Sequence, residues 1–162
     1  MKRRELFNEL KEVKKLLLFG GKLVNKSEWY ENRILWRSKK LKLAPYEWWR
    51  FLLSDEKTAR KILAVASGCG VPLFIFWLSD DVWTLLTNQF LIGRYGGENS
   101  VIDLDKLGKV STVNNDGLSP KDLKRCAEVI SAGEVPREFW TPRGSVHFAL
   151  RNVLAMFPMK IP

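Results

Sequence analysis

The sequence contains few of the side chains on which metal and thiol enzymes depend. It has one histidine, His147, and two cysteines, Cys69 and Cys126, which are too far apart for a Cys-x-x-Cys metal motif. We therefore expect no zinc centre and no disulfide framework, and both thiols are expected to stay reduced. His147 lies in an amphipathic segment, where a lone histidine is more typical of a core or surface position than of a general base.

Long apolar runs and leader features are also scarce. The longest apolar run, Val71 to Leu78, is far shorter than the roughly twenty residues that cross a bilayer. The charged N-terminus lacks the apolar segment of a signal peptide. We therefore expect a cytoplasmic protein with no membrane partner. The glycine-rich segment 93–99 lacks the Gly-Lys-Ser/Thr ending of a phosphate-binding loop, and it is predicted to be an ordinary loop.

Acidic residues do not balance the basic ones in the first part of the chain. The protein has a net charge of +9 over 162 residues. Residues 1–61 hold 17 Lys and Arg against 8 Asp and Glu, a difference of +9, whereas residues 62–162 hold 10 of each. The whole excess therefore lies in the first 61 residues. Such a basic pole favours a polyanionic partner.

The most basic stretch runs from Arg33 to Leu43. Apolar and cationic residues alternate at its end, which predicts a β-strand. It carries five cationic side chains and one tryptophan, a composition that suits a surface for a polyanion. We predict that it binds nucleic acid, DNA rather than RNA. The expected contact residues are Arg33, Trp36, Arg37, Lys39, Lys40, Lys42 and Arg50.

The hydrophobic pattern predicts an α/β or α+β protein with a central mixed β-sheet flanked by helices. We expect one domain over residues 1–162, with an α/β core at 1–113 and a mainly helical C-terminal section at 114–162. The predicted N-terminal elements are a helix from Lys2 to Leu18 and strands at Lys22 to Asn25 and Trp29 to Leu43.

The remaining elements follow from apolar runs and capping residues. Val71 to Leu78 is predicted to be a central strand buried on both faces, and Val82 to Thr87 to be its hairpin partner. Helices are predicted after the cap at Ser54-Asp55, from Ser119 to about Ala132, and from Ser145 to Phe157.

The order of these elements resembles a known family. A strand ending in Lys39-Lys40, a helix, the apolar strand 70–78 and a return strand with Trp83 are similar to the archaeal Holliday junction resolvases and the wider PD-(D/E)xK nuclease fold. The resemblance covers about residues 4–86. It implies a nuclease-like core and a Mg²⁺- or Mn²⁺-dependent DNA endonuclease.

The catalytic pattern of that family is not matched. Ile34 and Trp36 stand where its glutamate and lysine are expected. Under the nuclease alternative, Glu28, Glu31 and Lys39 would form a substitute catalytic site.

Three functions therefore remain open. The favoured one is a nucleic-acid-binding protein, with or without a degenerate nuclease fold, that acts in DNA replication, recombination or packaging without enzymatic activity or a cofactor. The second is the metal-dependent endonuclease. The third is a scaffold or accessory subunit that docks a protein partner, or a second copy of itself, through aromatic residues between Tyr46 and Phe51.

Overall fold

The computed structural model describes residues 25–161, so the helix predicted from Lys2 to Leu18 and most of the strand predicted from Lys22 lie outside the described residues. The helices are α1 (Lys26–Lys40), α2 (Trp48–Ser54), α3 (Glu56–Val65), α4 (Pro120–Cys126) and α5 (Ser145–Leu154), with 3₁₀ turns at Ala44–Tyr46 and Leu104–Lys106. The strands are β1 (Pro72–Ser79), β2 (Val82–Thr87), β3 (Phe90–Tyr95), β4 (Glu98–Asp103), β5 (Ser111–Thr112), β6 (Val129–Ala132) and β7 (Arg137–Trp140).

The strands form two antiparallel sheets, one with the order β1-β2-β3-β4 and one with the order β5-β6-β7. This architecture confirms the α+β class. The expected mixed sheet is wrong for the described residues, because all the strand pairings between residues 25 and 161 are antiparallel. Short turns join the strands of the first sheet, and such turns connect only antiparallel neighbours. None of the helices between residues 25 and 161 combines the length and the apolar character needed to cross a membrane.

The apolar run that predicts a central strand does form a strand, β1. It lies at the edge of the first sheet and pairs along its length with β2 only. Leu73 to Phe76 are buried on both faces, whereas Trp77 and Leu78 are 39% and 55% exposed. The predicted hairpin with β2 is confirmed. The predicted central position is wrong, because β1 is an edge strand and the last two residues of the apolar run are exposed.

The two faces of the first sheet bury two separate cores. Helices α2 and α3 cover one face, where Ala59 and Ile62 of α3 share a buried cluster with Trp83 of β2. The opposite face packs against the second sheet, α1 and α5, in a larger core that includes Phe76 and Phe139. The period-two alternation of strands explains how adjacent residues reach different cores.

The two sheets pack closely where β2 and β3 of the first sheet meet β7 of the second. A Cβ at Gly93 of β3 would lie 2.8 Å from Cδ1 of Phe139, so only glycine leaves room for this ring. The Thr84 hydroxyl of β2 donates to the carbonyl of Trp140 over 2.6 Å. The first sheet therefore fixes the position of β7 through one steric contact and one buried hydrogen bond.

The strand predicted over Trp29 to Leu43 is wrong, because most of this segment forms α1. The helix begins where the Asn25 side chain accepts a hydrogen bond from the backbone N–H of Glu28. Its inward face carries Tyr30, Ile34 and Ser38, which follow the spacing of four residues expected on one side of a helix.

The alternation of lysine and leucine at residues 40–43, which predicted a strand, belongs to the turn that ends α1. The N–H of Leu43 donates to the carbonyl of Ser38 over 3.0 Å, and the N–H of Lys42 donates to that of Lys39 over 3.3 Å. This pair of hydrogen bonds is a Schellman motif. Leu43 is buried by the turn, while Lys42 adopts a left-handed φ of 60°.

Two later predictions also need correction. The helix predicted from Ser119 to Ala132 ends at Cys126, and β6 follows it, because Ile130 and Ala132 alternate into the core. The loop predicted at 93–99 is a hairpin between β3 and β4, with positive φ at both turn glycines. The predicted C-terminal helix is confirmed in α5, which ends at Leu154.

Candidate nucleic-acid interface

Four residues of α1 form a row along one side of the helix. The row consists of Trp29, Arg33, Trp36 and Lys40, and we call it the Trp/cation stripe. With 3.6 residues per turn, these positions fall within an arc of about 60°, whose centre lies about 130° from Ile34 on the buried face. Arg33, Trp36 and Lys40 are exposed, whereas Trp29 packs partly against the core. The stripe therefore alternates aromatic and cationic side chains along the helix, from a half-buried ring at its start to an exposed lysine at its end.

The cations of the stripe lie over its indole rings. The Arg33 guanidinium is 4.5 Å from the Trp29 ring centroid and 5.9 Å from that of Trp36. The Lys40 ammonium is 4.1 Å from the Trp36 centroid. Trp36 is 50% exposed despite these contacts. Cation–π pairing holds the ring in place while half of its surface stays available.

The basic side chains around the stripe lack acidic partners. No Asp or Glu occurs between Glu31 and Glu47, and five cations lie in that interval. In the part of the chain that the structure describes, none of these five makes an ion pair. The five cations are Arg33, Arg37, Lys39, Lys40 and Lys42. Residues 25–161 therefore leave the positive potential of these cations unpaired, as expected of a surface for anions.

Helix stability explains part of this pattern. Arg37, Lys39 and Lys40 lie in the last turn of α1, where cations interact favourably with the helix dipole, typically by about 0.3–1 kcal/mol each. That effect does not require Arg33, which lies two turns earlier. It also does not require a half-exposed tryptophan between cations.

Lys39 and Arg50 lie apart from the stripe. Lys39, Leu35 and Ser38 line one side of a cavity of about 400 Å³, and Glu47 lines the other. Arg50 of α2 lies beside Glu47, with 3.6 Å between its Nε and a carboxylate oxygen. The seven predicted contact residues are thus divided between the outward side of α1, the turn at Lys42 and this groove.

The proposed catalytic residues do not converge. Glu28, Glu31 and Lys39 all lie on α1, and a rise of 1.5 Å per residue places Lys39 about 12 Å along the helix from Glu31. Glu28 lies in the first turn, where a carboxylate favours helix formation. Among residues 25–161 there is no group of three or more His, Cys, Asp or Glu side chains that could hold a metal ion.

A polar cluster attaches the start of α1 to the rest of the protein. The Asp105 carboxylate accepts hydrogen bonds from the Lys26 ammonium and the Tyr30 hydroxyl. Burial would raise the pKa of Asp105, but these two hydrogen bonds outweigh it, and the pKa lies below its ordinary value. Burial, with the hydrogen bond to Asp105, raises the pKa of Tyr30. The cluster holds α1 in register with the end of β4.

His147 is fully buried in α5, away from the stripe. Its two ring nitrogens lie 2.8 Å from the Thr112 hydroxyl and 2.7 Å from the Thr141 hydroxyl. Burial, followed by the positive charge of Arg151, lowers the pKa of His147 to about 4. The ring is therefore neutral near pH 7 and links α5 to the second sheet, as expected of a core histidine.

The aromatic segment Tyr46 to Phe51 is less exposed than a docking surface requires. Trp48 is buried, Tyr46 packs on Phe76 at 5.0 Å between ring centroids, and Phe51 packs on Trp77 at 6.2 Å. Of the aromatic residues in this segment only Trp49 is exposed. The expectation of an exposed aromatic cluster here is therefore wrong, because Trp48 is buried and Tyr46 and Phe51 are half-buried by their contacts with β1.

Sequence reasoning missed the geometry that brings Trp29 and Trp36 together. A strand would place odd-numbered Trp29 and even-numbered Trp36 on opposite faces, whereas a helix places them on one face. The signal that could have revealed this was the spacing of four residues from Tyr30 to Ile34 to Ser38.

No protein-family model, curated protein or solved structure matches this chain.

Proposed function

We propose that the protein binds nucleic acid through the outward side of α1 and the turn that follows it. The observation that carries this proposal is the Trp/cation stripe, in which a half-exposed indole lies between two cations that make no ion pair with any residue from 25 to 161. Phosphates attract the unpaired cations, while an exposed indole offers an apolar surface to a base or a sugar.

The expected roles follow from position. Arg37, Lys40 and Lys42 neutralise phosphates, because their charges have no ion-pair partner among the described residues and lie at the end of α1. Arg33 supports both tryptophan rings and adds to the positive potential. Lys39 and Arg50 lie beside the groove and contribute only if the bound strand turns toward Glu47.

The strained turn supports a role for Lys42. A left-handed φ is favourable for glycine and costs other residues roughly 1 kcal/mol. The chain nevertheless has lysine there, with its side chain exposed. A charged residue at a position that favours glycine is consistent with selection for binding rather than for stability.

The test compares two double variants that remove equal charge. Arg37→Ala/Lys40→Ala removes two cations of α1, and Lys121→Ala/Lys124→Ala removes two exposed cations of α4. Binding of fluorescent DNA and RNA oligonucleotides by the full chain is measured by anisotropy. We expect the α1 variant to lose about tenfold or more in affinity and the α4 variant to change by less than about twofold.

Two outcomes would refute the proposal. One is the absence of binding to any DNA or RNA probe by folded protein. The other is an equal loss in the two variants, which would indicate a response to net charge alone. Competition with poly-glutamate provides a further control. If the surface recognised negative charge alone, this polymer would displace the fluorescent oligonucleotide as readily as an unlabelled oligonucleotide does.

A further inference from the structure

We infer that the Trp/cation stripe binds single-stranded nucleic acid in preference to duplex, with an unpaired base stacking on Trp36. This inference rests on the proposed function and specifies its ligand. It follows from the exposed position of Trp36 on α1, from the two cations beside its ring, and from the accessibility of base faces in a single strand.

Trp36 is the most outward residue of the stripe. The buried face of α1 is centred near Ile34, and helix geometry places Trp36 about 160° from Ile34 around the axis. A ligand that approaches α1 from solvent therefore meets the indole before it meets the flanking cations. Arg33 and Lys40 lie one turn before and one turn after it, at 5.9 Å and 4.1 Å from the ring centroid.

This arrangement suits base faces better than base edges. The edges in a duplex groove are read by side chains with several donors or acceptors, such as Arg, Asn and Gln. Indole has one N–H donor and a large flat surface, so its main contribution is stacking. In a duplex the base faces are covered by neighbouring base pairs, and exposing one costs a few kcal/mol.

A single strand presents its base faces without that cost. Stacking on an aromatic side chain is worth enough that removal of the ring lowers affinity about 5- to 150-fold. The row from Trp29 to Lys40 is about 16 Å long, so it offers room for several nucleotides of one strand. The cations at Arg33 and Lys40 lie close enough to Trp36 to contact the phosphates on either side of a stacked base.

The experiment measures affinity for one oligonucleotide in two forms, as a single strand without self-complementarity and as a duplex with its complement. We expect wild-type protein to bind the single strand more tightly. Trp36→Ala should lower single-strand affinity about 5- to 150-fold and change duplex affinity by less than about twofold. Lys40→Ala should weaken both forms, because phosphates are present in both.

Two conservative variants separate stacking from structural effects. Trp36→Phe keeps an aromatic face and should retain most of the single-strand preference, whereas Trp36→Leu keeps apolar volume without a ring and should lose it. Because these variants share one half-exposed position, their comparison holds even if Trp36→Ala folds poorly.

The inference is overturned by equal or tighter binding of the duplex, by equal effects of Trp36→Ala on both forms, or by equal binding of the Phe and Leu variants. Each of these results leaves the proposed function intact, because nucleic acid is still bound. Absence of salt-dependent binding to both forms would overturn the proposed function as well.

Discussion

Mild acidification should destabilise this protein through protonation of His147. The folded protein lowers the pKa of this residue from 6.5 to about 4, first because the ring is buried and second because Arg151 is positively charged. The unfolded chain therefore binds a proton at a higher pH than the folded protein. Stability that is fully present above about pH 6.5 is lost as the pH falls toward about 4.

The magnitude follows from the size of the pKa change. Each pKa unit corresponds to about 1.4 kcal/mol, so the complete effect is about 3 kcal/mol and about 2 kcal/mol is already lost near pH 5. His147 is the only histidine in the chain. Asp55 and Asp105 have pKa values below their ordinary 3.8, so their stabilising charges are lost only in more acidic solution. The interval between about pH 7 and about pH 5 therefore contains most of the expected change from His147.

Urea unfolding at these two pH values provides the assay, with His147→Gln as the control variant. We expect the wild-type free energy of unfolding to fall by about 2 kcal/mol and that of the variant to stay nearly constant. The variant itself will be less stable, since it loses a hydrogen bond to Thr112 or Thr141. An equal decrease in both proteins, or an NMR titration of His147 near its ordinary pKa, would refute the reasoning.

Three further substitutions test other parts of the structure, each by urea unfolding. Gly93→Ala should cost about 1–3 kcal/mol, because the new Cβ would lie 2.8 Å from the Phe139 ring; no loss would mean that the sheets do not pack so closely. Lys42→Gly should raise the free energy of unfolding by about 1 kcal/mol or less, because glycine adopts a left-handed φ without strain. The same substitution should weaken oligonucleotide binding, because it removes a cation. A lower free energy of unfolding would contradict the turn geometry. Asp105→Asn should cost about 1 kcal/mol near pH 7 through lost interactions with Lys26 and Tyr30. Because the pKa of Asp105 is lowered, this difference should be present above about pH 4 and vanish as its carboxylate is protonated in more acidic solution; a difference that persists at low pH would exclude the carboxylate as its cause.

Local patterns predicted the elements whose burial is simple. The strand from Val71 to Leu78, its hairpin partner and α5 follow from apolar runs, and α3 follows from the cap at Asp55. These segments have sequence preferences that agree with their tertiary environment. The hairpin of β3 and β4 was missed although its Gly96-Gly97 turn is a known signal, because the residues after it alternate weakly.

The segment that matters most for function was assigned to the wrong element. On α1, the apolar residues Leu35 and Trp36 are exposed, so apolar residues do not mark one face of the helix in the sequence. The identity of the basic residues was available from the sequence, but their arrangement was not. Only the helix places Arg33, Trp36 and Lys40 side by side, and it also separates Lys39 from the glutamates required by the nuclease alternative.

The salt dependence of oligonucleotide affinity tests the central claim most directly. If Arg33, Arg37, Lys40 and Lys42 each neutralise one phosphate of a single strand, the logarithm of the association constant should fall with that of the salt concentration with a slope of about −3. Removal of Lys40 should reduce the steepness by about 0.7. A slope near zero, or a slope that Lys40→Ala leaves unchanged, would contradict the assignment of α1 as the nucleic-acid interface.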